Sequence, residues 1–276
     1  MKKKERLDVL LVDRGLIETR EKAKRTIMAG LVYSEQERLD KPGLKVNIDI
    51  PIELKGNPVP YVSRGGLKLE KALDVFQFDV KDKIMLDIGA STGGFTDCAL
   101  QNGAQLVYAL DVGYNQLAWK LRNDDRVHVM ERTNFRYVKP IDFQNGLPHV
   151  ATIDVSFISL RLILPVLKDI LLSGGHVVSL VKPQFEAGRD DVGKKGIIRD
   201  RKVHQSVLES IISFSVDVGF RVLDCTFSPI RGGEGNIEFL LYLEKLPQNE
   251  PGECKWTGSI EQVVNDAHES KKFDER

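Results

Sequence analysis

Three charged side chains stand at strand boundaries in the second half of the chain. Asp154 and Lys182 each follow a short apolar strand pattern, and Glu238 begins the strand after the turn-rich segment 228–235. Carboxyl ends of parallel strands share one edge of a sheet, where ligands bind. A hairpin that turns over at that edge brings Glu238 back to it. The pattern therefore predicts two carboxylates and an amine in one place, a set suited to moving protons, although each charge on its own is equally typical of a solvated strand end.

A second cluster of candidates follows the strand pattern at 84–88, which contains Asp87. Small residues here let backbone amides approach a ligand at a helix N-terminus; they are Gly89, Ala90, Ser91, Gly93 and Gly94, with Phe95 next. Asp111 and Val112 end the following strand, where a carboxylate binds ribose hydroxyls. These features favour an adenosine-containing cofactor, although a tight structural turn also explains the loop.

Asn134 and Phe135 follow the third strand of this region. One interpretation is that they flank an adenine, and the other is a loop asparagine beside a core phenylalanine. The sequence leaves both interpretations open.

Strand and helix patterns alternate through the rest of this region, which predicts a parallel sheet with helices on both faces. Strands are expected at 84–88, 106–112, 127–130, 150–154, 176–181, 221–227 and 237–244, and helices near 66–76, 94–102, 115–123, 160–171 and 202–217. The short link before the last strand predicts an antiparallel final pair. The fold class is thus α/β, a seven-stranded Rossmann-like sheet with its last strand antiparallel.

The first 55 residues form a different pattern, with two short amphipathic helices and then small strands. Residues 1–60 carry 13 basic and 10 acidic side chains, whereas residues 247–276 carry 4 and 7. The predicted domains are 1–55, a linker at 56–62, a main domain at 63–246 and an acidic tail at 247–276. Basic residues on the two helices suit RNA phosphates, and a solvated face is the alternative; they are Arg6, Arg14, Arg20, Lys22, Lys24 and Arg25. Arg64 and the basic loop 189–195 would extend this track.

Several classes of protein are disfavoured by composition. Cys98, Cys225 and Cys254 lie far apart without metal-ligand spacing, so we expect no disulfide framework and no metal site. The basic start is followed by an apolar stretch too short for a signal peptide, and no stretch has the roughly 18 apolar residues of a membrane helix. We therefore expect a cytoplasmic protein without a membrane partner.

Four separated segments carry a resemblance to a known family. Residues 87–95, Asp-Ile-Gly-Ala-Ser-Thr-Gly-Gly-Phe, resemble the cofactor loop of S-adenosylmethionine methyltransferases of the FtsJ/RrmJ type. Residues 61–69, 154–159 and 180–185 resemble the TlyA family, in which such a domain follows an S4-like RNA-binding domain. The resemblance extends to about residue 245.

This resemblance implies a ribose 2′-O-methyltransferase that acts on ribosomal RNA or a ribosomal subunit, with cytidine as the target and S-adenosylmethionine as the cofactor. The family's catalytic Lys-Asp-Lys-Glu tetrad carries over onto Lys68, Asp154, Lys182 and Glu238. Lys71 competes for the first position, but Lys68 has the right offset from the segment before it. Asp154 also counts among the cofactor-site candidates.

Lys182 is the candidate base for the ribose hydroxyl. A lysine pKa of about 10.4 must fall for that role, and Lys68 would lower it while Asp154 and Glu238 would raise it. The sequence leaves the net sign open. Family members are also labelled haemolysins, and a catalytically silent RNA-binding protein is a further alternative; the intact tetrad argues against the latter.

Overall fold

The structure is a computed structural model that describes residues 4–17, 19–28, 30–35, 37–55, 59–188, 191–193, 196–232 and 235–270. The chain divides into two compact units. An N-terminal unit ends at Arg64, and a larger unit, the body, begins at Gly65. Residues 56–58 of the predicted linker lie outside the described part of the chain.

The N-terminal unit packs two helices against short strands. Helix α1 is Leu7–Asp13 and helix α2 is Arg20–Met28; the strands are β1 (Lys4–Arg6), β2 (Val32–Ser34), β3 (Glu37–Arg38), β4 (Lys45–Asn47) and β5 (Glu53–Leu54). Gly15, at a φ of 68°, lies in the break between the helices. Fully buried apolar side chains of both helices, such as Leu11 and Ile27, form the core.

Strand β1 was not predicted, because Lys4–Arg6 has no apolar alternation. It forms through backbone pairing with β4 across the unit, and β2 pairs with β3 and β5 in a second small sheet. The two predicted helices are confirmed.

The body contains an eight-stranded sheet. Its strands are β6 (Ile84–Ile88), β7 (Leu106–Leu110), β8 (Val127–Met130), β9 (Val150–Ile153), β10 (His176–Val181), β11 (Phe220–Phe227), β12 (Phe239–Lys245) and β13 (Glu253–Cys254). Their order is β13-β11-β12-β10-β9-β6-β7-β8. β12 runs antiparallel to both β10 and β11, as predicted for the seventh strand.

The predicted count of seven strands was wrong by one. β13 pairs parallel with β11 at the edge of the sheet, and Glu253 on β13 is ion-paired at 2.5 Å with Arg221 on β11. Such a two-residue strand leaves no periodic signal, since it depends on a partner far along the chain. The acidic segment after Leu246 is thus packed on the body as far as residue 270.

The helices of the body are α3 (Gly66–Phe76), α4 (Gly94–Gln101), α5 (Trp119–Arg122), α6 (Leu164–Ile170), α7 (Pro183–Glu186), α8 (Arg201–Val218) and α9 (Ile260–Glu269). The helix expected at 115–123 is reduced to α5. Asn115 has a left-handed φ of 57°, and the amide of Gln116 bonds to Glu131 at 3.2 Å, so the chain before α5 is a fixed loop.

The helix expected at 160–171 is also divided. A 3₁₀ turn, Leu160–Leu162, precedes α6, and the Ser159 side chain caps that turn. Pro165 lies in the first turn of α6, where its missing N–H costs no hydrogen bond. Alternate strand side chains, such as Leu86, Ala151 and Leu241, form the core on one face of the sheet.

Candidate active site

Four different elements of the body carry the four residues of the predicted tetrad, which we call the charged tetrad. Lys68 lies in the first turn of α3, Asp154 directly follows β9, and Lys182 directly follows β10. Glu238 directly precedes β12, which runs in the opposite direction. Asp154, Lys182 and Glu238 are therefore at one edge of the sheet, as the strand directions predicted, and Lys68 contacts two of them there.

The structure brings the charged tetrad into direct contact. The Nζ atom of Lys68 is 2.7 Å from an Oε of Glu238 and 3.1 Å from an Oδ of Asp154. The Nζ atom of Lys182 is 2.5 Å from the other Oδ of Asp154. Asp154 is thus shared by both lysines. Lys71 has a different position, because its Nζ donates to the carbonyl of Phe227 at 2.6 Å.

Burial makes these contacts strong. Lys68 is 7% exposed, Lys182 7% and Glu238 2%. Burial alone lowers the pKa of Lys68, but the charges of Asp154 and Glu238 outweigh it and hold that pKa above its usual value. Burial alone raises the pKa of Asp154, but Lys68 and Lys182 outweigh it and hold that pKa below its usual value. At neutral pH, Lys68 is therefore an ammonium and Asp154 a carboxylate.

Two further features of the site were not singled out from the sequence. Lys182 donates from Nζ to the hydroxyl of Ser156 at 3.2 Å, two residues after Asp154. Phe157 is 91% exposed at a left-handed φ of 62°, with its ring 5.0 Å from that of Phe185. A phenylalanine with positive φ and full exposure is uncommon. The sequence signal for Phe157 was that it lies within 154–159, one of the segments that carry the family resemblance.

The glycine loop between β6 and α4 lies beside the tetrad. Gly89 has a φ of 89°, and a Cβ there would stand 2.5 Å from the carbonyl oxygen of Asp154. The amides of Gly89 and Ala90 both donate to the carbonyl of Leu110. Only glycine permits this approach between the loop and the end of β9. The loop and the tetrad are thereby one structural site.

Asp87 and Gly93 contact other protein residues on the inner side of the loop. Asp87 is fully buried and accepts from the hydroxyls of Thr96, at 2.7 Å, and Thr152, at 3.1 Å. Burial raises the pKa of Asp87 to about 7. A Cβ on Gly93 would meet side-chain atoms of Leu117 and Leu121. Both residues shape the loop from inside: Asp87, one of the cofactor-site candidates, lies beneath the loop, and the small size of Gly93 also serves packing against two leucines.

Asp111 lies at the rim of the same loop, at the end of β7. Its carboxylate accepts from the amides of Ser91 at 2.8 Å and Gly113 at 2.7 Å. Each oxygen retains a lone pair for a further donor. Ser91 is exposed, and Val112 is 70% exposed beside Asp111. Gly94 and Phe95 open α4 and are buried.

Asn134 has a structural role in the described part of the chain, and an adenine contact by it stays a prediction. Its side-chain oxygen accepts from the amide of Arg136 at 3.1 Å and caps the 3₁₀ turn Phe135–Tyr137. Phe135 is 3% exposed, in the core.

The predicted RNA-binding residues of the N-terminal unit have unequal roles. Arg6 and Arg20 are each 2.9 Å from the buried carboxylate of Asp8, with about half of each side chain exposed. The hydrogen bond from Arg6, joined by one from Arg20, lowers the pKa of Asp8 to about 2 against the opposing effect of burial. The two guanidiniums are thereby held in fixed orientations at the surface.

Arg14 is a structural residue and not a free surface cation, which corrects that prediction. Its guanidinium donates to the carbonyls of Ile48 and Ile50. Lys24 pairs at 2.8 Å with Glu21 on the same helix, Lys22 is half-buried, and Arg64 is exposed. The side chain of Arg25 lies outside the described part of the structure, as do residues 189, 190, 194 and 195 of the predicted basic loop.

The sheet order, the glycine loop and the acidic residue after β7 define the class as a Rossmann-like methyltransferase fold preceded by a small α/β unit. The family model "FtsJ-like methyltransferase" matches residues 61–245, and the "S4 domain" model matches residues 5–49. YqxC of Bacillus subtilis, named as a candidate rRNA methyltransferase, is 66% identical over 98% of this chain and 96% of its own.

TlyA of Mycobacterium tuberculosis, named a 16S/23S rRNA (cytidine-2′-O)-methyltransferase, is 39% identical over 88% of this chain and 91% of its own. A solved structure of a candidate hemolysin from Streptococcus thermophilus is 59% identical, with a TM-score of 0.77 and 97% of both chains covered. The chain belongs to the TlyA family of FtsJ-like methyltransferases.

Proposed function

We propose that this protein transfers a methyl group from S-adenosylmethionine to a ribose 2′-hydroxyl of ribosomal RNA, on cytidine, in the cytoplasm. The observation that carries the proposal is the contact of two lysines with two carboxylates beside the glycine loop. Relatives that cover most of the chain are named for this reaction.

The loop between β6 and α4 fits an adenosine-containing cofactor. Gly89 has no space for a Cβ, and the Asp111 carboxylate is held at the rim by two backbone amides. We assign ribose binding to Asp111 and the wall of the site to Ser91, Val112 and the backbone of 89–91. When bound, S-adenosylmethionine supplies an electrophilic methyl group on a sulfonium that leaves as a neutral thioether.

The difficult part of the reaction is the nucleophile, because a ribose hydroxyl is a very weak acid. Lys68 contacts two carboxylates and remains an ammonium. Lys182 contacts one carboxylate, which it shares with Lys68, and the hydroxyl of Ser156. Lys182 has one carboxylate partner where Lys68 has two, and we assign Lys182 as the base that accepts the hydroxyl proton.

Asp154 and Glu238 then have an orienting role. Asp154 holds the Nζ atoms of both lysines, and Glu238 neutralises the charge of Lys68. The positioned ammonium of Lys68 stabilises the negative charge that develops on the ribose oxygen. The exposed ring of Phe157, against the half-buried ring of Phe185, suits a nucleobase beside the tetrad.

RNA recognition is assigned to the N-terminal unit, where Arg6 and Arg20 are presented by a buried carboxylate. Such guanidiniums bind phosphates with geometric specificity.

The haemolysin name occurs among the relatives. In the part of the chain that the structure describes, no helix is long and apolar enough to cross a membrane.

The proposal is tested by mass-spectrometric mapping of ribose methylation in ribosomal RNA from cells with and without the gene. Purified full-length protein is then incubated with the unmethylated ribosomal RNA, or with its subunits, and S-adenosylmethionine. We expect one or a few cytidines to gain a 2′-O-methyl group in both experiments.

The cofactor site is tested separately by calorimetry with S-adenosylmethionine, comparing the wild type with Asp111→Ala and with Lys83→Ala as the surface control. Weaker binding is expected for Asp111→Ala alone. RNA binding without any methyl transfer would favour a non-catalytic RNA-binding protein, and unchanged affinity of Asp111→Ala would remove Asp111 from the cofactor site.

A further inference from the structure

Glu238 is the most deeply buried residue of the charged tetrad, and its carboxylate lies against the backbone of the hairpin that precedes it. A Cβ built on Gly232 would stand 2.0 Å from Oε1 of Glu238 and 2.6 Å from its Cδ. The other oxygen, Oε2, accepts the hydrogen bond from Lys68 at 2.7 Å. Gly232 and Lys68 therefore confine the same carboxylate from two sides.

The hairpin backbone is fixed at several points. The amide of Ser228 donates to the carbonyl of Glu238 at 2.8 Å, and the amide of Gly232 donates to the carbonyl of Asn236 at 2.9 Å. The Asn236 side chain accepts from the amide of Ile198 at 3.0 Å and donates to the carbonyl of Gly196 at 2.9 Å. Because of these bonds, the backbone at Gly232 resists displacement more than a side-chain end does.

We propose that Gly232 is a positioning residue, whose lack of a side chain sets where the Glu238 carboxylate lies and so keeps Glu238 paired with Lys68. Gly232 has no left-handed φ, so alanine at this position brings no backbone strain. The added methyl group would instead push the flexible end of Glu238 away. This inference rests on the proposed methyl transfer and names a further residue that supports it.

The decisive variant is Gly232→Ala in the full chain. We expect the protein to fold, to bind S-adenosylmethionine with an affinity within about twofold of the wild type, and to lose about 10- to 100-fold in single-turnover methyl transfer, the usual effect of misplacing a catalytic group by about 1 Å. Gly188→Ala is the matched control, since among the described residues its Cβ would meet Asp191 alone, at 3.5 Å, without a left-handed φ. We expect near-normal transfer from it.

Glu238→Asp distinguishes positioning from a general structural effect. The shorter side chain withdraws the carboxylate from Gly232, so Gly232→Ala should cost markedly less in the Glu238→Asp background than in the wild type. Equal losses in both backgrounds would overturn the inference. Near-normal transfer by Gly232→Ala in the wild-type background would also overturn it.

A crystal structure of Gly232→Ala gives a readout that does not depend on activity. We expect the Lys68 Nζ to Glu238 Oε2 distance to increase beyond 3.5 Å, and an unchanged distance would overturn the inference even if transfer were lost. A wild-type protein that methylates no ribosomal RNA would contradict the proposed function, whereas the crystallographic result would still decide the position of Glu238.

Discussion

The two lysines of the charged tetrad differ in their carboxylate partners. Lys68 contacts Glu238 and Asp154, whereas Lys182 contacts Asp154 and the hydroxyl of Ser156. In the proposed reaction, one amine accepts the hydroxyl proton and a positive charge stabilises the oxygen. This difference in surroundings is the reason for assigning the base role to Lys182 and the charge-stabilising role to Lys68.

Replacement of Lys182 tests this assignment. We expect Lys182→Ala to lose at least about 100-fold in methyl transfer, the usual contribution of a general base, with cofactor and RNA binding largely retained. Lys182→Arg should not restore the rate, because a guanidinium stays protonated. The measurement is single-turnover transfer with saturating ribosomal RNA, with Lys83→Ala as the surface control.

A near-normal rate for Lys182→Arg would show that position 182 needs only a positive charge. Asp154 would then be the next candidate for the base, since it is ionised and contacts both lysines.

At the scale of elements, the glycine loop and the end of β9 depend on each other. Gly89 and Gly103 have nearly the same left-handed φ, 89° and 87°, but a Cβ on Gly89 would meet the backbone of Asp154 at 2.5 Å, whereas one on Gly103 would meet the Lys81 side chain at 3.4 Å. Substitution by alanine costs about 1–3 kcal/mol of backbone strain at either position. Any loss of stability or activity in Gly89→Ala beyond that in Gly103→Ala is therefore due to the contact with the end of β9.

We therefore expect Gly89→Ala to lose at least about 10-fold in methyl transfer beyond the loss seen for Gly103→Ala, because Asp154 is displaced from the lysines. Chemical unfolding and single-turnover assays on both variants check this. Matching losses of stability and activity in the two variants would show that strain, and not the contact with Asp154, limits position 89.

Helix α9 is joined to α8 by a pair of histidines. Nδ1 of His204 is 2.9 Å from Nε2 of His268, and His204 is fully buried against the ring of Phe239. Asp200, Arg201 and Arg231 are the charged groups that act on the pair. Burial, reinforced by His268, lowers the pKa of His204 to about 4.

Because the folded pKa of His204 lies below its unfolded value of about 6.5, the unfolded chain binds more protons between these values. The contribution of His204 to the free energy of unfolding is therefore fully present above about pH 6.5 and is lost as the pH falls towards 4. We expect hydrogen exchange in α9 to accelerate over this range, and His204→Phe to flatten the dependence. His128→Phe, an exposed control on β8, should behave as the wild type; a pH profile unaffected by His204→Phe would contradict this role.

At the scale of the whole molecule, we assign RNA affinity to the N-terminal unit and the chemistry to the body. Replacing Arg20, Lys24 and Arg25 together with glutamine should weaken RNA binding and reduce the slope of log affinity against log salt by about 2, at about 0.7–0.9 per phosphate contact. Cofactor affinity should not change. Titrations of the full chain at several salt concentrations provide the measurement.

Arg14→Gln is the contrasting variant, since its guanidinium bonds to the carbonyls of Ile48 and Ile50. We expect it to destabilise the N-terminal unit by about 1 kcal/mol, since two partly buried acceptors lose their donor, without changing the salt slope. A triple variant with the wild-type salt slope would assign these three charges to a solvated surface.

The sequence by itself determined the succession of the first seven strands along the body and the reversed direction of the seventh. It also placed Asp154, Lys182 and Glu238 at the carboxyl edge of the sheet. These features depend on apolar periodicity and strand direction, which are local properties of the chain. The role of Lys68 and the family assignment came from the resemblance. Apolar periodicity does not distinguish Lys68 from Lys71, because both lysines lie on the same amphipathic helix.

Only the tertiary structure decided the surroundings of each side chain. It paired Arg14 with backbone carbonyls, buried Asp87 beneath the loop, joined Ser156 to Lys182, and added β13 to the sheet. Each of these contacts joins residues that are distant in sequence or depends on a φ value that composition does not reveal. Burial and pairing, and therefore the charge state of Lys68 and Asp154, follow from those contacts and not from residue type.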